Sequence, residues 1–152
     1  MEQHPTALVS GKAEIGKNVR VGPYSIIEED VIIGDDCFID SHVSIKSGVR
    51  LGNGIKIHHG AAIGGPPQDL KYAGEKTELY VGDNTVIREF VTLNRGTVAH
   101  GKTEIGKNCL FMAYCHAAHD NIIGNNVILA NSVQMGGHVE IGDWAIMGGA
   151  SV

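Results

Sequence analysis

Nearly every sixth residue of this chain, counted from Val9, is apolar. From Val9 the positions run Val9, Ile15, Val21, Ile27, Ile33, Ile39, Ile45, Leu51, Ile57 and Ile63, then resume at Val81, Ile87 and Leu93 and continue to Met147. Of the 24 positions, 22 are apolar, where 43% hydrophobic composition would supply about ten by chance. The position four residues later is Ala, Ser, Thr, Val or Cys in 20 of 24 cases, and the position one residue later is Gly in 11. The small residue and the next apolar one lie two apart, so they share one face of a short strand. The glycine that follows is read as a sharp turn at φ > 0. Three such steps close a coil of about 18 residues around a narrow triangular interior, and coils stack about 4.8 Å apart through backbone hydrogen bonds. The expected fold is all-β, a parallel β-helix of hexapeptide repeats with triangular cross-section, forming a single domain over residues 1–152.

Composition agrees. There are 17 Ile and 14 Val against 7 Leu, and branched Cβ atoms fit pleated strands. The 21 glycines show no Gly-X-Y period and are joined by only four prolines, which excludes collagen. The formal net charge is −5 with both signs interspersed, unlike the basic face of a nucleic-acid binder. No run approaches the ~20 apolar residues of a membrane span, and MEQHPTALVSGK lacks a signal-peptide pattern. Three cysteines without a CxxC spacing argue against a disulfide framework. A soluble, cytoplasmic protein is expected.

The period fails at Asp69 and Glu75, where carboxylates would fall in the core. An excursion loop at about 64–79 resolves this, and Pro66 and Pro67 support it because they lack the N–H a coil ladder needs. A weaker break lies near 97–104, around Ala99. Loops projecting from rigid scaffolds tend to carry function, and the first brings Gln68, Asp69, Lys71 and Tyr72 together. The comb is still in register at Met147 with nothing to cap the last coil, so further chain or an external cap is expected there.

Three of the eight histidines, His116, His119 and His138, cluster late in the chain. Ala117 and Asn121 take inward positions, which puts His119 and Asp120 on the outer surface. The next coil then stacks Asp120 beneath His138 and His119 beneath Gly137. This suits acyl transfer. His119 is a candidate general base, Asp120 could orient its ring, and the unshielded Gly137 N–H could donate to an oxyanion. The residues alone leave two other readings open: a hydrophilic flank of surface histidines, and a zinc site like that of hexapeptide carbonic anhydrases.

Longer stretches are more specific. HPTALV, PQDLKYAGEKTEL, VGDNTVIREFVTLNRGT, HAAHDNIIGNNVILAN and GGHVEIGDWAIMGG resemble the UDP-N-acetylglucosamine 3-O-acyltransferase family, which begins lipid A synthesis and belongs to the hexapeptide acyltransferases. The resemblance implies a left-handed β-helix. It also implies transfer of a 3-hydroxyacyl chain from acyl carrier protein to the 3-position of a UDP-sugar, without metal, cofactor or covalent acyl-enzyme. By motif match His119 is the base, Asp120 its support and Gly137 the oxyanion donor. His116, His138, Gln68, Asp69 and Lys71 match substrate-binding positions. Asn94 stands where the family often has histidine, which confines that position to orientation. The family is a homotrimer with active sites between subunits, and it continues into further coils and a helical domain. The chain therefore reads as the front part of a longer enzyme, with a non-catalytic truncated scaffold as the alternative.

Overall fold

The computed structural model describes residues 1–152. Its strands are two to four residues long and form three parallel sheets. The first sheet has eight strands, from Glu2–Gln3 to Ile146–Met147; the second has seven, from Leu8–Val9 to Gln134–Met135; the third has seven, from Glu14–Ile15 to Glu140–Ile141. Neighbours within a sheet are three strands apart in sequence, so the chain visits three faces in turn and climbs one layer per circuit.

The register explains why the comb crosses its own interruptions. Ile39 pairs with Val21 below and Ile57 above, one circuit of three hexapeptides away in each direction. Ile57 then pairs with Ile87, a circuit longer by two hexapeptides, and Ile87 with Phe111, a circuit longer by one. Both insertions are whole multiples of the repeat, so the apolar positions stay in phase across them. The first excursion is residues 66–77, tighter than 64–79, because Gly64 and Gly65 end the strand Ala62–Gly65 while Glu78 and Leu79 begin Glu78–Val81. Neither Asp69 nor Glu75 enters the core. The second excursion leaves after the strand Thr92–Asn94 and returns at Lys102–Ile105, with Ala99 exposed.

The comb residues fill the prism; Ile27, Ile39, Ile63, Leu93, Phe111 and Leu129 are fully buried. Two polar residues in the small position bond to a turn carbonyl of the coil above. Ser25 Oγ donates to Asp40 O at 2.6 Å and Thr85 Oγ1 to Gly106 O at 2.9 Å. The thiols do the same, Cys109 Sγ to Gly124 O at 3.1 Å and Cys115 Sγ to Ala130 O at 3.0 Å. All three cysteines are free and buried, and burial pushes their thiols above the ordinary range. No helix is long and apolar enough to cross a membrane.

The repeat glycines serve a different purpose from the one their spacing suggests. Of the eleven, only Gly64 has positive φ. The left-handed residue falls two positions later, as at Asn18, Asp36, Asn84, Asn108 and Asn126, types that tolerate this conformation. Most of the glycines, those with a coil stacked above them, are required by close approach, whereas Gly136 and Gly142 have open space where a Cβ would stand. Gly16, Gly34, Gly52, Gly82, Gly106, Gly124 and Gly142 follow the strands of the third sheet, forming a column along one corner. A Cβ on Gly34 would stand 2.7 Å from the carbonyl carbon of Gly52, and one on Gly106 would press on Gly124 O and stand 2.6 Å from its carbonyl carbon. Beside the column, side-chain oxygens tie coil to coil: Asp35 Oδ1 accepts from Lys17 N–H at 2.7 Å and Asn125 Oδ1 from Lys107 N–H at 2.8 Å.

Candidate active site

The corner between the second and third sheets differs from the other two. Both excursions leave from it, after Ala62–Gly65 and after Thr92–Asn94. His119 and Asp120 occupy it after the strand His116–Ala117, and Gly137 and His138 after Gln134–Met135. Sheet order thus stacks two loops and two polar turns along a single edge.

His119 Nδ1 lies 2.8 Å from Asp120 Oδ2. The flat face of the ring rests on the Gly137 backbone, where a Cβ would sit 2.6 Å from His119 Nε2 and 2.9 Å from Nδ1. Glycine is therefore the residue this stacking admits, as the coil period anticipates. The Gly137 N–H donates to no protein acceptor. His138 takes its main-chain hydrogen bond from N–H to His119 O at 3.1 Å. Its Nε2 lies 3.6 Å from Asp120 Oδ2, and its ring meets that of His119 edge-on at 5.1 Å. Asp120 and His138 both have positive φ, +60° and +62°, but so do most turns of this helix, so the conformation belongs to the repeat and not to the site.

Asp120 is not on the outer surface as its place in the repeat predicts; its side chain is fully buried. The second excursion folds over the corner and covers it. Thr97 N–H donates to Asp120 Oδ1 at 2.8 Å and Thr97 Oγ1–H to Oδ2 at 2.5 Å. From the coil below, Thr103 Oγ1 accepts the Asp120 N–H at 2.9 Å. Burial alone would raise the carboxyl pKa, but the hydrogen bonds from Thr97 and His119 outweigh it and hold the group below the ordinary carboxylate value. An ionised carboxylate is acceptor only, so His119 presents Nδ1–H to it, and the neutral ring then carries its lone pair on Nε2. His119 itself is half-buried.

A cleft of about 200 Å³ opens between the two excursions, lined by Asp69, Lys71, Tyr72, Glu75, Thr97, Val98, Ala99 and His138. Asp69 Oδ1 accepts from Lys71 N–H at 2.9 Å, a local turn that leaves the Lys71 side chain exposed. The larger cleft, about 420 Å³ on the first sheet around His4 and Arg20, contains none of the residues singled out in the sequence.

Three of those residues stand apart from the His119 group. His116 presents its ring on the outer face of the second sheet, Nδ1 2.6 Å from Thr92 Oγ1, and burial lowers its pKa. Asn94 is buried beside Gly65 with its amide nitrogen unpaired. Gln68 is exposed on the first excursion and does not line the cleft.

Residues 12–47 and 30–65 match the family model described as bacterial transferase hexapeptide (six repeats). An acyl-[acyl-carrier-protein]--UDP-N-acetylglucosamine O-acyltransferase of Thiobacillus denitrificans is 55% identical over 147 residues, covering 96% of this chain and 57% of the relative. LpxA from Acinetobacter baumannii superposes with a TM-score of 0.95 at 44% identity, covering 97% of this chain and 57% of that one. The UDP-N-acetylglucosamine O-acyltransferase (LpxA) of Moraxella catarrhalis superposes with 0.97 at 43% identity, over 99% and 59%. The chain carries bacterial transferase hexapeptide repeats and is similar to these O-acyltransferases over nearly its whole length. Superposition of this quality requires the same hand, so the β-helix is left-handed. The chain spans just over half the length of the relatives it matches.

Sequence reasoning passes over the supports of the site. Arg95 Nη2–H donates to Tyr72 Oη at 3.0 Å and Nη1–H to Gly64 O at 2.8 Å, while Tyr72 Oη–H donates to Glu75 O at 2.8 Å. This clasp fixes the first excursion to the base of the second. Thr97 and Thr103 are equally unobtrusive in sequence. The only signal for Thr97 is its place in a break of the period.

Proposed function

We propose that this chain carries the acyl-transfer centre of an acyl-carrier-protein-dependent UDP-N-acetylglucosamine O-acyltransferase, which moves a 3-hydroxyacyl chain onto the sugar 3-hydroxyl in the first step of lipid A synthesis. The observation that carries this reading is the His119 imidazole, fixed by a buried carboxylate at Nδ1 and lying against the Gly137 amide. With Nδ1–H donated to Asp120, Nε2 takes the proton of the sugar 3-hydroxyl as its oxygen attacks the thioester carbonyl. The Gly137 N–H donates to the oxyanion that develops. Collapse of the tetrahedral intermediate expels the carrier thiolate, which recovers a proton from the His119 imidazolium. No cofactor and no acyl-enzyme are needed. Asp120 stabilises the transient imidazolium.

Lys71 suits an anionic part of the substrate, and Asp69 and His138 line the same cleft. At about 200 Å³ this cleft is smaller than the ~300–1,000 Å³ typical of ligand sites, so a second wall is needed. In a homotrimer a neighbouring subunit supplies it, and His116, Asn94 and Gln68 then meet substrate across the boundary. Dependence on acyl carrier protein and a UDP-sugar favours the cytoplasm. The test is mass spectrometry of products from UDP-N-acetylglucosamine and a panel of 3-hydroxyacyl carrier proteins. The expected product is the sugar nucleotide carrying one ester-linked acyl chain. Product formed with free phosphate or water in place of the sugar acceptor would count against the reading.

A further inference from the structure

We propose that His119, Asp120 and His138 also form a binding site for a divalent transition-metal ion such as Zn2+, and that its occupation switches the transfer centre off. The switch rests on the function proposed above; the metal site does not. One ligand atom from each residue lies within 4.8 Å of the others. His119 Nδ1 is 2.8 Å and His138 Nε2 is 3.6 Å from Asp120 Oδ2. Around a tetrahedral zinc ion with bonds of about 2.0–2.1 Å, adjacent ligands stand about 3.3 Å apart. Both contacts therefore reach a ligand geometry by small movements of the rings. Two imidazoles and a carboxylate are a donor set zinc accepts. The carboxylate is also oriented from behind by Thr97 and is fully buried, the kind of outer support that metal ligands have.

A fourth donor is within reach. His100, exposed on the second excursion, has its ring 5.6 Å from that of His138. A change of side-chain rotamer brings it to the open side of the cluster.

The inhibitory effect follows from which nitrogen is used. A cation at His119 Nδ1 needs the lone pair of that nitrogen, so the one proton of the neutral ring moves from Nδ1 to Nε2. The nitrogen proposed to accept the sugar proton then has no lone pair to offer. The same ion holds His138 away from substrate and occupies the Asp120 oxygen that would stabilise the imidazolium.

The test is a titration of the chelator-treated chain with Zn2+, in competition with a chromophoric chelator, alongside a transfer assay. The expected result is one Zn2+ per chain, weakened at least ~10-fold in His119→Ala and in His138→Ala. His100→Ala binds several-fold more weakly but keeps its metal-free transfer rate. Transfer by the wild type falls with the same midpoint as binding, and EDTA restores it. His59→Ala, which alters the histidine pair with His42 on another corner, binds as the wild type does. Absence of binding at micromolar Zn2+, or binding that survives His119→Ala and falls in His59→Ala, overturns the site. Specific binding without loss of transfer overturns the switch. A chain that binds Zn2+ at these residues but transfers no acyl group without metal removes the proposed function, and the switch with it, while the metal site stands.

Discussion

Replacing Thr97 with valine tests how the buried carboxylate is held. The two side chains have nearly the same shape, so the substitution removes one hydroxyl from a buried position and little volume. That hydroxyl donates to Asp120 Oδ2 at 2.5 Å and accepts from Ala99 N–H at 3.2 Å. A hydrogen bond to a charged group contributes about 1.5–3 kcal/mol, and the long, partly exposed second bond about 0.5 kcal/mol. Thr97 N–H still serves Oδ1, so the carboxylate is not left without partners. The expected loss at pH 7 is therefore about 2–3.5 kcal/mol. Most of it depends on pH. Asp120 titrates in the folded chain below its unfolded value, which is about 3.9. Its stabilisation is complete above that value and is lost as pH falls through the folded one. The valine variant raises the folded value towards the unfolded one, so the two proteins converge as the carboxyl becomes protonated. Urea denaturation at pH 7 and at pH 3 measures this. A stability difference smaller at pH 3 than at pH 7 is expected, narrowing towards the about 0.5 kcal/mol of the lost neutral bond as protonation of Asp120 becomes complete. A difference unchanged between the two pH values would mean that Thr97 acts through packing, and the account of Asp120 would be wrong.

Other outcomes follow from the same geometry. Arg95→Met releases the first excursion from its clasp, so KM for the sugar nucleotide rises by ~10-fold (about 1.4 kcal/mol) with a smaller change in kcat, and limited proteolysis cuts within 66–77 sooner; equal KM and unchanged proteolysis would show that the clasp positions nothing. Gly106→Ala forces a methyl group against the Gly124 carbonyl and costs about 1–3 kcal/mol, whereas Gly11→Ala, with open space around it, stays within about 0.5 kcal/mol; calorimetry or urea melts compare them. Cys37, Cys109 and Cys115 are buried with raised thiol pKa values, so a colorimetric thiol reagent reacts only after denaturant is added; rapid reaction of the folded chain would contradict their packing.

The coils were legible because the interruptions respect the repeat. Insertion of two hexapeptides and then of one leaves Val81 and Ile105 on the same comb as Leu51, and a constant step is all that pattern reading needs. The stacking of His119 on Gly137 was legible for the same reason: it is a relation between adjacent coils with no insertion between them. The burial of Asp120 was not. It depends on Thr97, which a non-repeating loop carries over the corner, and no period reports where such a loop lies. The repeat glycines show a different limit. Their spacing is the same whether they serve a turn or a close approach, and only the nearness of Gly106 to Gly124 O separates the two. His116 lies a few residues from His119 yet faces away from it, because the chain turns a corner between them.

The central claim is that His119 removes the proton of the acceptor hydroxyl. It is tested most directly by the rate of acyl transfer in His119→Ala, at saturating sugar nucleotide and acyl carrier protein, with unfolding curves confirming that the coils remain intact. Loss of a general base costs ~10²–10⁴-fold, so kcat should fall by at least ~100-fold while the urea midpoint stays near that of the wild type. A folded variant that transfers the acyl chain at the wild-type rate would contradict the account.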